Sequence, residues 1–166
     1  MSVSPEPGDV VRSIVTADYR PVENSVEIVR ERRTGDHYVG AVAFEDDSGV
    51  QRRGLYGLQL HHYGVWRPNG HCMGSARPTN ERDVWMTWGG WGGDTHEMSV
   101  VGGWVADPSV SVARAIDDAT GRILDDDVEN GVALFVFDGY FGRYARMELL
   151  DPDGEPTRTG PLNRRP

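Results

Sequence analysis

The sequence predicts an all-β fold, a single antiparallel β-sandwich, from three observations. Apolar and polar residues alternate with a period of two along most of the chain, which is typical of half-buried strands. Turn residues separate these alternating runs at intervals of about 10–12 residues. The 166 residues include 21 glycines and 10 prolines, which favour many turns over long helices. About ten short strands follow from this pattern, and a small closed β-barrel is the alternative arrangement.

The first twenty residues are the least regular part of this pattern. Residues 1–9 are rich in Ser, Pro and Glu, and they predict a disordered N-terminal tail. Residues 10–20 permit two interpretations. A helical face is formed by Val10, Val11, Ile14 and Val15, with Asp9 as a cap and Pro21 as a stop. The β-branched content favours a strand instead, which is our prediction for this segment.

Strands are predicted from residue 26 onward. The alternating runs 26–31 and 38–44 are joined by RTGD, a sequence that suits a hairpin loop. DDSG then leads into a third alternating run, 52–66, which is followed by the irregular stretch 67–83. These runs predict neighbouring antiparallel strands in the first half of the chain.

The C-terminal third gives the clearest pattern. Residues 110–116 alternate, DDATG turns the chain, and residues 122–128 return, which predicts a hairpin. The alternative is a helix that begins at Asp107-Pro108, because proline suits a first helical position. Residues 132–137 are apolar on both faces, so this strand is expected to be central and covered on both sides.

The end of the chain completes the predicted domain. A final strand over 145–149 precedes the turn sequence DPDGEP, and residues 156–166 read as a flexible tail. The β-sandwich domain is therefore predicted to span residues 10–155, with no internal domain boundary.

Residues 100–155 resemble bacterial immunoglobulin-like sandwich domains. The resemblance lies in a G-x-V strand, a strand of alternating valines, a D-x-x-G turn, an Asn-Gly pair before an apolar strand, and a closing strand that ends in D-x-D-G. It implies a sandwich fold and no particular activity, because such folds carry many unrelated functions. The cysteine and tryptophan pattern of antibody-type domains is absent from this sequence.

Composition excludes several classes of function. The net charge of −9 and the isoelectric point near 4.9 argue against a nucleic-acid partner, which needs a positive surface. No apolar run is long enough to cross a bilayer, so no membrane partner is expected. The single cysteine, Cys72, excludes an internal disulfide, and MSVSPEPGDV does not look like an export signal. A cytoplasmic location is the expectation.

Aromatic rings beside glycines give the main functional hypothesis. Four of the five tryptophans lie between Trp85 and Pro108, where glycines bracket Trp91 and predict a mobile or tightly turned loop. Tyr140 and Phe141 repeat this theme in DGYFGRY, and Trp66 is a further candidate. Tryptophan and tyrosine are preferred anchors of interfaces. We therefore predict a non-enzymatic module, without a cofactor, that binds a protein partner through these four residues.

Three alternatives to a protein-binding module remain open at this point. A carbohydrate-binding module would use the same rings, and a homodimer would seal them between two copies of the chain. A small barrel-like metal enzyme would need one histidine from each of three strands or loops. Its candidate ligands are His62, His71 and His96, with Glu97 as the base, although no spaced zinc signature supports them.

Carboxylates cluster at several predicted turns, at Asp46-Asp47, Asp117-Asp118, 125–127 and 151–155. Converging loops of this kind can bind calcium through oxygen ligands. Aspartate and glycine are also what ordinary turns require.

Overall fold

The computed structural model describes residues 5–75, 84–93, 96–138 and 146–161. Within this part of the chain the fold is mainly β-structure with antiparallel pairing throughout, so the predicted all-β class is confirmed. The chain divides into two compact units, Met1–Arg77 and Pro78–Pro166. The domain predicted over residues 10–155 thus extends into both units. The described residues contain no helix of the length and apolarity that crossing a bilayer requires.

The first unit contains one helix and a four-stranded sheet among its described residues. Helix α1 spans Pro7–Tyr19. The strands are β1 (Glu27–Thr34), β2 (His37–Glu45), β3 (Gln51–His61) and β4 (Val65–Ser75), paired in the order β1-β2-β3-β4. The two middle strands are buried on both faces, since Tyr56 and Leu55 of β3 are both buried although they point in opposite directions.

Helix α1 corrects the prediction of a strand at residues 10–20 and of a disordered tail as far as residue 9. Pro7 occupies the start of the helix, where its missing N–H costs nothing, and Arg20 ends it with a left-handed φ of 47°. Val11 and Val15, one turn apart, are fully buried against the sheet. Burying such side chains is worth about 1.5–3 kcal/mol each, whereas the helical penalty of a β-branched residue is below about 0.7 kcal/mol.

The face of the sheet beneath α1 forms the core of the first unit. Tyr38 is central to it: its ring lies across Gly40, where an added β-carbon would come within 3.1 Å of the tyrosine oxygen. The Tyr38 hydroxyl donates a 2.7 Å hydrogen bond to Glu31 on β1. Burial, and then this carboxylate, raise the pKa of Tyr38 well above its usual range. The remaining buried members of this core are Val42, Phe44, Tyr56, Leu58 and Trp66.

The second unit contains seven described strands in two sheets. The strands are β5 (Val84–Gly93), β6 (His96–Val105), β7 (Val112–Asp117), β8 (Arg122–Asp127), β9 (Val132–Asp138), β10 (Arg146–Leu150) and β11 (Pro156–Pro161). One sheet has the order β11-β10-β7-β8 and the other the order β5-β6-β9. Strand β11 occupies part of the segment that was predicted to be a flexible tail. The described sheets are open, so the alternative of a closed barrel is not formed.

The predicted hairpin at residues 110–128 is confirmed as β7 and β8, and the alternative helix at Asp107-Pro108 does not form. Asp107 instead begins a turn, in which its carboxylate accepts hydrogen bonds from the Ser109 backbone N–H at 3.0 Å and the Ser109 hydroxyl at 2.6 Å. The same carboxylate pairs with Arg158 of β11 at 3.2 Å. These contacts favour a turn, because the Asp107 side chain satisfies a backbone N–H that would otherwise need a partner and no helix has to form.

Strand β9 is covered on both faces, as its sequence predicts, but it is not central. Ala133 and Phe135 join a core with residues of β7 and β10, while Leu134 on the opposite face is fully buried. Among the described strands β9 pairs only with β6. On its other side the Leu134 backbone N–H donates a 2.6 Å hydrogen bond to the buried carboxylate of Asp126 on β8. The Asp126 side chain thus accepts a backbone hydrogen bond that a neighbouring strand would otherwise accept.

The helical assignment of residues 10–20 can be tested by comparing two adjacent positions. Val15→Ala is expected to lower the free energy of unfolding by about 1–3 kcal/mol, because it removes two buried methyl groups. Thr16→Ala on the exposed face is expected to change it by no more than about 0.5 kcal/mol. Urea titration followed by circular dichroism measures both variants. Equal effects at the two positions would contradict the packing of α1 described above.

Candidate functional site

The turn between β3 and β4 has an unusual backbone. His61 pairs with Val65, and His62–Gly64 connect the two strands. Tyr63 adopts a left-handed conformation, with φ 74° and ψ 13°, and Gly64 follows with φ 72°. A left-handed conformation costs a residue with a β-carbon about 1–2 kcal/mol. The other non-glycine residues with positive φ in the described chain are Arg20, Asn24 and Asn130, and asparagine tolerates this region well.

This turn holds the most exposed large hydrophobic side chain in the described part of the molecule. Tyr63 is 99% exposed, and Val65 beside it is 47% exposed. His61 and His62 are also exposed. We call the segment His61–Arg67 the hairpin tip. It presents the Tyr63 ring and the Val65 side chain to solvent. The backbone at Tyr63 has a left-handed conformation that tyrosine does not favour.

Trp66 fixes the hairpin tip to the core. It is only 7% exposed, and its ring meets that of Tyr38 edge-on with centroids 6.3 Å apart. The Arg33 guanidinium lies 5.0 Å from the ring centroid on the indole face, a cation–π distance. This burial corrects the prediction that Trp66 contributes to an exposed aromatic surface. Its ring instead holds in place a turn that exposes Tyr63, three residues earlier.

A second hairpin supports the tip from the side. The β1–β2 turn reverses at Gly35, with φ 55°, and lies at the same end of the sheet as the hairpin tip. The Leu60 backbone N–H donates a 2.7 Å hydrogen bond to the Asp36 carbonyl oxygen, so the two turns are joined directly. The hairpin tip is therefore attached both to the core through Trp66 and to its neighbouring turn.

Sequence reasoning missed Tyr63 because it treated 52–66 as one continuous strand. The signal was present in Tyr63-Gly64, where an aromatic residue lies beside a glycine, as at Trp91 and Tyr140. At Tyr63 the alternation of the sequence continues through the turn and hides it. The second strand then begins at Val65, which turns Trp66 toward the core.

The other predicted aromatic contacts have different outcomes. Trp91 lies within β5, paired with Met98 of β6, rather than on a loop, and the neighbouring glycines belong to the same strand. Tyr140 and Phe141 lie outside the described residues. The exposure of these three rings stays a prediction.

The alternative metal ligands are not brought together in the first unit. His62 lies in the β3–β4 turn, whereas His71 pairs with Tyr56, six residues along β4 from Val65. Six extended residues span about 20 Å along a strand, so the backbones of these two residues are far apart. His96 and Glu97 are adjacent on β6 of the second unit. No group of three potential metal ligands occurs among the described residues.

Several of the clustered aspartates cap turns. The Asp46 carboxylate accepts hydrogen bonds from the Ser48 and Val50 backbone N–H groups at 3.0 and 2.9 Å, and pairs with Arg52 at 2.8 Å. Asp117 and Asp151 likewise accept backbone N–H groups from residues two positions later. A left-handed glycine follows within four residues in each case, at Gly49, Gly121 and Gly154. Turn formation therefore accounts for these carboxylates without a cation.

No known protein family, curated protein or solved structure matches this chain.

The strain at Tyr63 predicts a variant that is more stable than the natural protein. Tyr63→Asn is expected to raise the free energy of unfolding by about 1 kcal/mol, because asparagine accepts the left-handed backbone and no buried contact is lost. Tyr63→Val at the same site is expected to lower it by a similar amount, because a β-branched residue is least tolerant of positive φ. Urea titration of the two variants measures this difference, and a destabilised Tyr63→Asn protein would argue against the strain.

The turn at Asp46 predicts a pH dependence of stability. The Val50 N–H, the Arg52 guanidinium and the Ser48 N–H lower the pKa of Asp46 in the folded state. The ionised Asp46 carboxylate therefore adds its full contribution to the free energy of unfolding above the pKa of an aspartate in the unfolded chain, about 3.9. That contribution is lost as the pH falls through the lower pKa of Asp46 in the folded protein. The stability difference between the natural protein and Asp46→Asn is expected to shrink below about pH 4. Asp47→Asn is the control, since the Asp47 carboxylate meets the exposed Ser48 hydroxyl at the long distance of 3.4 Å; an equal pH response from both variants would contradict this role.

Proposed function

We propose that this chain is a non-enzymatic protein-binding module that contacts its partner through the hairpin tip. Tyr63 is the anchoring side chain in this proposal. The observation that carries it is the 99% exposure of a tyrosine held in a left-handed backbone conformation. Backbone strain of this kind clusters at functional sites, where something other than folding stability retains the residue.

The attachment of the hairpin tip supports a binding role. Trp66 and the Asp36–Leu60 hydrogen bond restrict the turn, so the Tyr63 ring is presented from a fixed backbone. A pre-organised aromatic anchor loses little conformational entropy on binding, and tyrosine is among the residues enriched at interface hot spots. Val65 adds aliphatic surface beside the ring. Together they form a small contact that a shallow pocket on a partner would cover.

The finer sequence-based predictions belong to the same proposal. We propose an immunoglobulin-like sandwich for the second unit, supported by a core that draws residues from β7 and β10 on one side and β9 on the other. Trp91, Tyr140 and Phe141 remain proposed contact residues. A cytoplasmic location is also proposed, and it rests on the sequence having a single cysteine.

Site-specific photo-crosslinking tests the binding role. A photoreactive phenylalanine analogue replaces Tyr63 in cells that naturally make the protein, and Ile123, which is 57% exposed on β8, receives it as the control. We expect a discrete protein adduct from position 63 and none above background from position 123. Excess natural protein should suppress the adduct, whereas Tyr63→Asn should compete at least about tenfold less well, a loss of about 1.4 kcal/mol.

Two outcomes would contradict this proposal. Equal adducts from both positions, or none from either, would remove the hairpin tip as a protein-binding site. Tyr63-dependent retention on a glycan array without any protein adduct would favour the carbohydrate-binding alternative, which uses the same ring.

A further inference from the structure

The hairpin tip lies at a basic end of an acidic chain. Three arginines lie on or next to the two turns at this end, Arg32 and Arg33 near the end of β1 and Arg67 near the start of β4. All three are exposed, and the carboxylate of Asp36 is the one acidic side chain within residues 32–39 and 57–70. Over the whole chain acidic residues outnumber basic ones by 26 to 17. Within these two turns guanidinium groups therefore outnumber carboxylates, whereas the reverse holds for the whole chain.

The antiparallel register places these arginines at one end of the sheet, with Arg32 and Arg67 on the face away from α1 and Arg33 on the face that α1 covers. Arg67 pairs with Gln59, which pairs with His37 beside the β1–β2 turn, and Arg33 pairs with Tyr38 one position further along. Glu31, the next carboxylate along β1, lies two residues beyond Arg33 and accepts the hydrogen bond of Tyr38. The exposed histidines of the tip add no negative charge. Helix α1 begins beside Tyr38 and Glu31, so Glu31 and Asp9 add negative charge on the α1 face. The Tyr63 ring projects from the two turns themselves, where guanidinium groups outnumber carboxylates.

We infer that the partner presents an acidic segment, with aspartate or glutamate carboxylates around an apolar pocket for the Tyr63 ring. This inference rests on the proposed binding function and specifies the chemistry of its partner. Guanidinium groups match carboxylates in a bidentate geometry, and arginine accompanies tyrosine in interface hot spots. The Arg33 guanidinium is already ordered by its contact with Trp66. Arginines concentrated in two turns of a molecule of net charge −9 also orient an acidic partner as it approaches.

An acidic protein segment fits this surface better than a nucleic acid or a membrane does. Three arginines neutralise few phosphates, while the rest of the chain repels a polyanion as long as a nucleic acid. Tyr63 and Val65 alone offer too little apolar area for stable insertion into a bilayer. A protein partner is compact enough to contact the basic end without facing the acidic remainder.

Charge reversal at one exposed arginine tests the inference. Labelled poly-L-glutamate is the probe, and fluorescence anisotropy measures its binding to the full chain at low salt. Arg67→Glu is expected to weaken binding at least about tenfold, and Arg67→Lys is expected to retain most of it. Arg20→Glu is the matched control, because Arg20 is exposed next to the Pro21–Asp46 bridge at the opposite end of the sheet. Binding should disappear at about 0.5 M salt.

Several results would overturn the inference. These are failure to bind poly-L-glutamate, equal weakening by Arg67→Glu and Arg20→Glu, and tighter binding to a single-stranded oligonucleotide or to phosphatidylserine-containing vesicles. The position-63 adduct separates this inference from the proposed function. An adduct that persists in Arg67→Glu and at high salt would overturn the acidic partner and leave the binding function intact. Poly-L-glutamate binding without any position-63 adduct would overturn the proposed function, and only the affinity of the two turns for acidic chains would stand.

Discussion

The burial of Trp66 is the contact on which the geometry of the candidate site depends. An isolated two-stranded hairpin is at best marginally stable in water, and this one contains a tyrosine in a disfavoured conformation. The indole lies against Tyr38 and under Arg33, so the start of β4 is fixed to the same core that α1 covers. The packing of Trp66 in the core, rather than contacts of the turn residues, therefore stabilises the turn. The turn residues themselves are left to face solvent.

The sequence predicts the parts of this fold in which local and tertiary preferences agree. The β7–β8 hairpin follows from alternating valines and a DDATG turn, and both signals are local. The two buried faces of β9 follow from an apolar run without polar interruption. Helix α1 could not be predicted in the same way. Its valines favour extended structure, and only the sheet beneath it supplies the surface that makes one helical face favourable.

The exposed Tyr63 was not predicted, although the signal that the sequence analysis used is present there. An aromatic residue next to a glycine pointed to Trp91, Tyr140 and Phe141, and the same pattern at Tyr63-Gly64 was passed over. Whether Trp66 is exposed depends on which residue ends β3, because moving a strand boundary by one residue exchanges its two faces. Alternation that continues through a tight turn hides that boundary. The arginines at this end of the sheet were equally hidden, since Arg33 and Arg67 are distant in sequence and only the strand register places both at the same end.

The strand edges restrict how this molecule can associate with others. Strand β1 pairs with β2 alone among the described strands, and its sequence EIVRERRT alternates charges of both signs around a bulge between Ile28 and Arg30. Charged, irregular edges discourage a further strand from adding to a sheet. At β9 the Asp126 carboxylate already occupies a backbone donor that an incoming chain would need. Addition of a strand from another molecule is therefore disfavoured at β1 and β9, two of the outer strands of the described sheets, which limits amyloid-like aggregation through these edges.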